Sequence, residues 1–140
     1  MAQKKIYIAG PLFTEEQRWL LERIDEVCRQ SGFETYLPHR DAGIFDRNSD
    51  STFFFEEDLR QLQQADVLVA VLNGDDVDSG TAWEMGYFYA SHDGPIIGYL
   101  QDSRKPNPKA QLNPMVVNSL FVWVDNRERL GQILRALKSS

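Results

Sequence analysis

The most constraining feature of this chain is an apolar run that leads directly into an acidic segment. Residues 65–72 have the sequence ADVLVAVL, and a near-continuous apolar run is typical of a central strand in a parallel sheet that is covered on both faces. Asn73-Gly74 predicts a turn, and residues 75–78 then contain three aspartates. Ligands bind beyond the carboxyl ends of such strands, so we expect the acidic segment to border a ligand site.

Strand and helix patterns alternate along the chain. The predicted strands cover residues 5–9, 33–37, 65–72, 95–100 and 120–124. The predicted helices cover residues 14–31, 52–64, 81–91, 113–119 and 125–137. This alternation predicts an α/β fold with a doubly wound, flavodoxin-like sheet of five parallel strands and helices on both faces. Residues 38–50 are predicted to form a polar loop, which is either a lid over a binding site or a merely mobile segment.

Length and composition limit the classes of function. The 140 residues suffice for one domain, residues 1–140, and the net charge is −6. That charge argues against nucleic acid or an anionic membrane as the main partner and favours a neutral or cationic small ligand. No apolar run approaches the length of a membrane span, and the sequence predicts no signal peptide. The single cysteine, Cys28, allows no internal disulfide, so we expect a cytoplasmic location.

Glu84 is the first candidate for chemistry. It is the one acidic side chain in the helix predicted over residues 81–91, where its neighbours are mostly apolar or aromatic. An unpaired charge in such a setting costs on the order of several kcal/mol, which indicates a catalytic role. The alternative is structural, because Thr81 and Glu84 have the spacing of a capping box. The acids at positions 75, 76 and 78 favour catalysis, since they exceed what a cap needs and paired carboxylates cleave glycosidic bonds.

Asp58 is a second candidate. On the helix predicted over residues 52–64 it shares a face with Phe55 and Leu62, which directs it inward or to the edge of a site. A partly exposed surface aspartate is the alternative. Glycine-rich nucleotide motifs are absent, and His39 and His92 have no partner at ligand spacing, so we expect neither a cofactor nor a metal.

Four segments of the sequence resemble those of the nucleoside 2-deoxyribosyltransferases. They are KIYIAGPLF at residues 5–13, FEEDL at residues 55–59, DSGTAWEMG at residues 78–86 and NPM at residues 113–115. The third segment is the most specific of the four, and together the segments extend over most of the chain. The resemblance implies an enzyme that exchanges the base of a 2′-deoxynucleoside without a cofactor.

The resemblance also implies roles for four catalytic residues. Glu84 is expected to be the nucleophile that attacks C1′ of the sugar, and Tyr7 is expected to orient its carboxylate. Asp58 and Asp78 are expected to hold the nucleobase, and one of them delivers a proton to the leaving nitrogen. Attack by a carboxylate gives a covalent glycosyl-enzyme, and attack by a second base then restores the original configuration.

Four further positions are expected to bind substrate. Gly10 and Phe13 lie in the turn after the first strand, which the fold rule places at the ligand site. By the resemblance, Asn113 and Met115 reach the sugar in the site of a neighbouring subunit. The expected partners are therefore 2′-deoxynucleosides, free purine or pyrimidine bases, and further copies of this chain in a homo-oligomer with a shared active site.

Three other functions compete with this one. A hydrolase of 2′-deoxynucleoside 5′-monophosphates would need phosphate donors, and the turn at residues 9–13 offers none from side chains. A phospho-acceptor receiver or sensor module would need acids after the first strand, where Gly10-Pro11 stands, and an aspartate at the end of the third strand, where Asn73-Gly74 stands. A non-catalytic nucleoside-binding module would bind nucleoside without turnover.

Overall fold

A five-stranded parallel sheet forms the centre of the molecule. The structure, a computed structural model, describes residues 3–102, 104–105 and 107–139. The strands are β1 (Lys5–Ala9), β2 (Glu34–Tyr36), β3 (Val67–Val71), β4 (Ile96–Tyr99) and β5 (Val122–Val124). Their order is β2-β1-β3-β4-β5, and every neighbouring pair is parallel. The predicted flavodoxin-like sheet is confirmed, with strands that are up to three residues shorter than the sequence patterns suggested.

Helices cover both faces of the sheet, as predicted. They are α1 (Glu15–Gln30), α2 (Pro38–Asp41), α3 (Ser51–Gln64), α4 (Ser79–Ser91), α5 (Pro114–Val117) and α6 (Arg127–Lys138), and a short 3₁₀ turn covers Pro108–Gln111. Buried residues of α1 and α6 form one apolar cluster with the sheet, and those of α3 and α4 form a second cluster on the opposite face. In the part of the chain that the structure describes, no helix has the length and apolar character needed to cross a membrane.

β3 connects the two halves of the core. All five of its residues are buried. Val67, Val69 and Val71 belong to the cluster with α1 and α6, whereas Leu68 and Ala70 belong to the cluster with α3 and α4. This alternation follows from the two-residue period of a strand, and it explains why the sequence of β3 is apolar throughout.

Side chains cap the starts of α1, α4 and α6, and the cap of α4 corrects one expectation. Thr14 forms a capping box with Gln17 at the start of α1, as its sequence pattern predicts. Asp78 is the N-cap of α4, so this helix begins at Ser79 and Glu84 lies in its second turn. The capping-box alternative for Glu84 is therefore wrong, because Thr81 is already inside the helix. At α6 the cap is Asn126, whose Oδ1 accepts from the backbone N–H of Arg129.

α4 is less buried than its apolar sequence predicts. Thr81, Met85 and Phe88 are its buried residues, whereas Trp83 and Tyr89 are more than half exposed. The helix packs on the sheet through one face only, and its other face presents aromatic rings. The ring of Trp83 stacks on Tyr87 and meets Phe55 of α3 edge-on. The apolar sequence of α4 thus serves both the core and an exposed aromatic surface.

The predicted loop over residues 38–50 is partly helical. α2 occupies its first four residues, beginning at Pro38, a residue that is favoured in the first turn of a helix. Residues 42–50 are then irregular up to Asp50, which caps α3 through the backbone N–H of Thr52. The segment thus leaves the sheet as a helical turn and returns as a short loop.

Two glycine substitutions test the packing of these elements. A Cβ atom at Gly10 would lie 2.8 Å from Cδ2 of Leu21 and 3.0 Å from Cβ of Val71. Gly86 has nothing within 4 Å of such an atom and lies inside α4. We expect Gly10→Ala to lower the free energy of unfolding by about 1–3 kcal/mol through overpacking. Gly86→Ala is expected to raise it by about 0.5–1 kcal/mol through helix propensity.

Urea denaturation at one fixed protein concentration measures both changes. Equal effects of the two substitutions would contradict the close approach of β1, α1 and β3 around Gly10.

Candidate active site

The site lies where the order of the sheet reverses. The crossover from β1 leads to β2 on one side, and β3 lies on the other side of β1, which is the switch point at which doubly wound sheets bind ligands. A cavity of about 590 Å³ opens there. Its lining residues come from the turn after β1, the segment after β2, and helices α3 and α4; they include Gly10, Phe13, Pro38, Phe45, Phe54, Phe55, Asp58, Leu59, Asp78, Trp83 and Glu84.

Glu84 stands in the cavity wall against a buried tyrosine. Tyr7 lies on the inner strand β1 and is completely buried, and its hydroxyl donates to Oε2 of Glu84. Glu84 lies in the second turn of α4 and points toward this strand. The backbone N–H groups of the second turn are bonded within the helix, so the Glu84 side chain is not needed as a cap. The structure thus brings together the two residues that the resemblance paired.

Burial dominates the electrostatics of Glu84. Loss of water raises the pKa of its carboxyl to about 8, because the charged form is the one that needs solvation. The hydrogen bond from Tyr7 acts in the opposite direction, and the negative charges of Asp58 and Asp78 raise the pKa further. Burial also raises the pKa of Tyr7 far above its ordinary value, so this phenol stays a donor at every physiological pH.

Asp58 forms a second tyrosine–carboxylate pair beside the first. Its Oδ1 accepts a hydrogen bond of 2.7 Å from the hydroxyl of Tyr36 at the end of β2. Burial raises the pKa of Asp58, the bond from Tyr36 opposes that rise, and the charge of Glu57 adds to it. The sequence placed Asp58 on the inner face of its helix, and its position in the cavity wall agrees. Tyr36 was missed, although it occupies the position next to Tyr7 in the parallel register of β1 and β2.

Asp78 combines a place in the cavity wall with a structural role. As the N-cap of α4 its Oδ2 accepts from the backbone N–H and from Oγ1 of Thr81, each at 3.0 Å. These bonds hold the carboxylate at the positive end of the helix dipole. Asp78 is therefore fixed at the helix entrance with one oxygen already occupied.

The structure separates the other predicted substrate residues into two pairs. Gly10 and Phe13 line the cavity, and the ring of Phe13 is 66% exposed at its mouth. Asn113 and Met115 lie outside the cavity of their own chain. Asn113 caps α5 by accepting from the backbone N–H of Met115, and the side chain of Met115 is 82% exposed.

An aromatic wall completes the cavity, and the sequence reasoning did not assign it. Phe45 comes from the loop after α2 and meets Phe54 of α3 edge-on, with ring centroids 5.6 Å apart. Phe55 and Trp83 extend this wall across α3 and α4. Three consecutive phenylalanines at positions 53–55 were the available signal, because an amphipathic helix buries only part of such a run.

The described residues offer no site for a metal ion. Within residues 3–102, 104–105 and 107–139, no group of three or more His, Cys, Asp or Glu side chains could hold one. The acids of the cavity are instead paired with tyrosines or with a helix start. The arrangement provides a carboxylate, a second acid and an apolar wall, which suit attack on a neutral organic ligand.

Comparison with known proteins decides the family. The family model described as nucleoside 2-deoxyribosyltransferase matches residues 6–120. The chain belongs to the nucleoside 2-deoxyribosyltransferase family. Tyr7, Asp58, Asp78, Glu84 and Asn113 all fall within the matched residues.

Individual proteins resemble the chain to different extents. A nucleoside deoxyribosyltransferase from Limosilactobacillus fermentum is 27% identical over 89% of this chain and 81% of its own length. The solved structure of a 2-deoxyribosyltransferase from the psychrotolerant bacterium Bacillus psychrosaccharolyticus is 27% identical, covers 91% of this chain and 90% of its own, and has a TM-score of 0.75. An uncharacterized protein from Ureaplasma parvum is 32% identical over 61% of this chain, a match that spans only 60% of its own length.

The raised pKa of Glu84 makes stability depend on pH. The unfolded carboxyl loses its proton near 4.5 and the folded one near 8, so between these values the folded state holds the extra proton and stability falls as pH rises. Glu84→Gln removes this dependence. We therefore expect the difference in unfolding free energy, variant minus wild type, to increase by on the order of 3 kcal/mol between about pH 5 and pH 9.

Urea denaturation across this pH range measures the difference, and the exposed Glu56→Gln serves as the matched control. Parallel pH curves for the wild type and Glu84→Gln would contradict the burial of a neutral carboxyl at this position.

Proposed function

We propose that the protein transfers the 2-deoxyribosyl group between nucleobases through a covalent intermediate on Glu84. The observation that supports this most is the Glu84–Tyr7 pair in the wall of the cavity. Tyr7 holds one carboxylate oxygen, and the other is available to C1′ of a bound nucleoside. A carboxylate positioned in this way is the nucleophile of retaining glycosidic chemistry.

Three acids stand in the cavity wall, and their contacts favour different roles. Asp78 is held as a helix cap by Thr81, which suits a residue that positions the substrate. Asp58 has a raised pKa and therefore suits proton delivery to the leaving base. Glu84 must react in its charged form, so formation of the intermediate should accelerate as the pH rises toward about 8.

The reaction then consists of two displacements. Glu84 forms a bond to C1′ while the C1′–N bond breaks, and the proton from Asp58 neutralises the departing base. The vacated space admits a second base, whose nitrogen attacks C1′ from the face that the first base left. The bond between C1′ and Glu84 then breaks and frees the Glu84 carboxylate, and the proton on the attacking nitrogen returns to Asp58. Two inversions give net retention. The aromatic wall presents flat surfaces on which either base can stack.

The lining of the cavity favours nucleosides over nucleotides. Among the described residues that line it, none is a lysine or an arginine, whereas Asp58, Asp78 and Glu84 are acidic. A 5′-phosphate would therefore meet repulsion and no cationic partner. The same observation disfavours the alternative of a 5′-monophosphate N-glycosidase.

We expect 2′-deoxynucleosides to be used with a kcat/KM at least about tenfold higher than that of their 5′-monophosphates. Chromatography of reactions with free adenine as the acceptor, set beside reactions without acceptor, measures transfer and hydrolysis separately. Equal or higher efficiency with the monophosphate would favour the N-glycosidase, and binding without turnover would favour the nucleoside-binding module.

The assignment of Glu84 can be tested by trapping the intermediate. Enzyme incubated with a 2-fluoro-substituted nucleoside analogue should gain the mass of the sugar, and peptide mapping should place the adduct on Glu84. Glu84→Ala is expected to remain folded and to lose more than about 10³-fold in kcat. Asp78→Asn is the matched control and should still form the adduct, at a lower rate. An adduct on Asp58 or Asp78 would show that the nucleophile is misassigned.

We further propose a homo-oligomer in which subunits share active sites. Asn113 and Met115 do not line the cavity of their own chain, and the apolar side chain of Met115 is largely exposed to solvent. These observations support a role in the site of a neighbouring copy, which a symmetric assembly would provide to every subunit.

Nucleoside substrates and a single buried thiol also suit a cytoplasmic location.

Mixing two inactive variants tests the shared site. Glu84→Ala and Asn113→Ala are each expected to be weakly active alone. The two variants are unfolded and refolded together. If the protein is a dimer with shared sites, about half of the dimers are mixed, and one of the two sites in each mixed dimer is intact. The mixture should then regain about a quarter of the wild-type activity. No recovery, or a fully active monomer in light scattering, would contradict sharing.

A further inference from the structure

Two tyrosine–carboxylate pairs stand side by side beneath the cavity. Tyr7 and Tyr36 are partners in the register of β1 and β2, and their ring centroids are 5.2 Å apart. Tyr7 donates to Glu84 of α4, and Tyr36 donates to Asp58 of α3. Both rings are buried, so each hydroxyl reaches its carboxylate from the core side of the cavity wall.

We propose that Tyr36 is the positioning residue of the general acid, holding Oδ1 of Asp58 so that the proton to be transferred is carried by Oδ2. This inference rests on the proposed function. A phenol that donates to one oxygen of a carboxyl favours the proton on the other oxygen. The backbone of β2 and the packing against Tyr7 fix the ring of Tyr36, which fixes the orientation of Asp58.

The proton transfer also changes the charge of Asp58, and Tyr36 acts on that change. As the C1′–N bond breaks, its electron pair goes to the base nitrogen, the Oδ2 proton follows, and Asp58 becomes a carboxylate. Hydrogen bonds to charged groups are stronger than those to neutral ones. The bond from Tyr36 therefore strengthens during the step and makes Asp58 a better acid than burial alone would allow.

The surroundings of Asp58 make this contribution necessary. Glu57 on its own helix and Glu84 on α4 bring negative charge, and Tyr7 on β1 brings a phenol that stays neutral. Burial and the charge of Glu57 both raise the pKa of Asp58, whereas the hydrogen bond from Tyr36 lowers it. Loss of that hydroxyl should thus leave an acid that is harder to ionise.

Tyr36→Phe with two substrates provides the main test. An ordinary 2′-deoxynucleoside needs its base protonated, whereas the base of 7-methyl-2′-deoxyguanosine already bears a positive charge and leaves without an acid. We expect the variant to lose about tenfold or more in kcat with the ordinary substrate, since general acids contribute about 10²–10⁴ in rate. The loss with the methylated substrate should be less than about threefold.

Two matched tyrosine variants separate positioning from general disruption. Tyr7→Phe removes the partner of the nucleophile, so it should slow both substrates alike. Tyr99→Phe removes a buried hydroxyl from the opposite face of the sheet, where the ring belongs to the cluster with α1 and α6, and should leave both rates unchanged.

The pH dependence gives a second readout. The optimum of a bell-shaped profile lies midway between its two apparent pKa values, which belong to the coupled pair of acids. A rise in the pKa of Asp58 moves the optimum to higher pH, whichever limb it governs. We therefore expect the optimum of Tyr36→Phe above that of the wild type, and that of Tyr99→Phe unchanged.

Direct titration of the carboxyl keeps the inference independent of turnover. In protein labelled with carbon-13 aspartate, the Asp58 signal can be assigned from Asp58→Asn, and its pKa should be higher in Tyr36→Phe than in the wild type. Equal losses with both substrates, or an unchanged pKa of Asp58, would overturn the role of Tyr36. If the pKa of Asp58 is higher in Tyr36→Phe than in the wild type, but the wild type transfers no deoxyribose, the proposed function is overturned instead.

Discussion

The desolvation of one carboxyl group is the constraint on which the site depends. Glu84 is largely shielded from water by the sheet below it and by the apolar wall around it, and the phenol of Tyr7 is the group that compensates. A carboxylate in water is a weak nucleophile because its solvent shell must be displaced first. Placed against a single fixed donor, it retains an oxygen with little competition. The cost is a group that prefers its proton at neutral pH, and the remaining core must be stable enough to tolerate it.

The order of the strands determines where such a group can be placed. Central strands are covered on both faces, so only their carboxyl ends are open to a ligand. β1 lies at the switch point and supplies Tyr7 from below, while α3 and α4 bring Asp58 and Glu84 from one side of the sheet. The three elements are far apart in sequence, and their packing in one apolar cluster holds the acids in one wall.

Much of this arrangement could be predicted from the sequence, for reasons that are local. The strands and helices followed from periodicity, and Glu84 and Asp58 followed from acids in apolar surroundings. Tyr36 was missed because its partner is set by strand register, which a single sequence does not encode. The start of α4 was ambiguous because Asp78 and Thr81 are both good caps at compatible spacing. The place of Phe45 in the aromatic wall was missed because the loop over residues 42–50 has no period to indicate which side chains turn inward.

The site depends on the parallel register of β1 and β2, which places Tyr7 beside Tyr36. Residues of a strand alternate between faces, so a slip of one residue would turn Tyr7 or Tyr36 away from the cavity and bring Ile6 or Thr35 in its place. A misregistered sheet could still bury much of its apolar surface, yet it would separate the paired phenols and leave a carboxyl without its donor. Enzymatic competence would then report correct strand pairing more sensitively than secondary-structure content does.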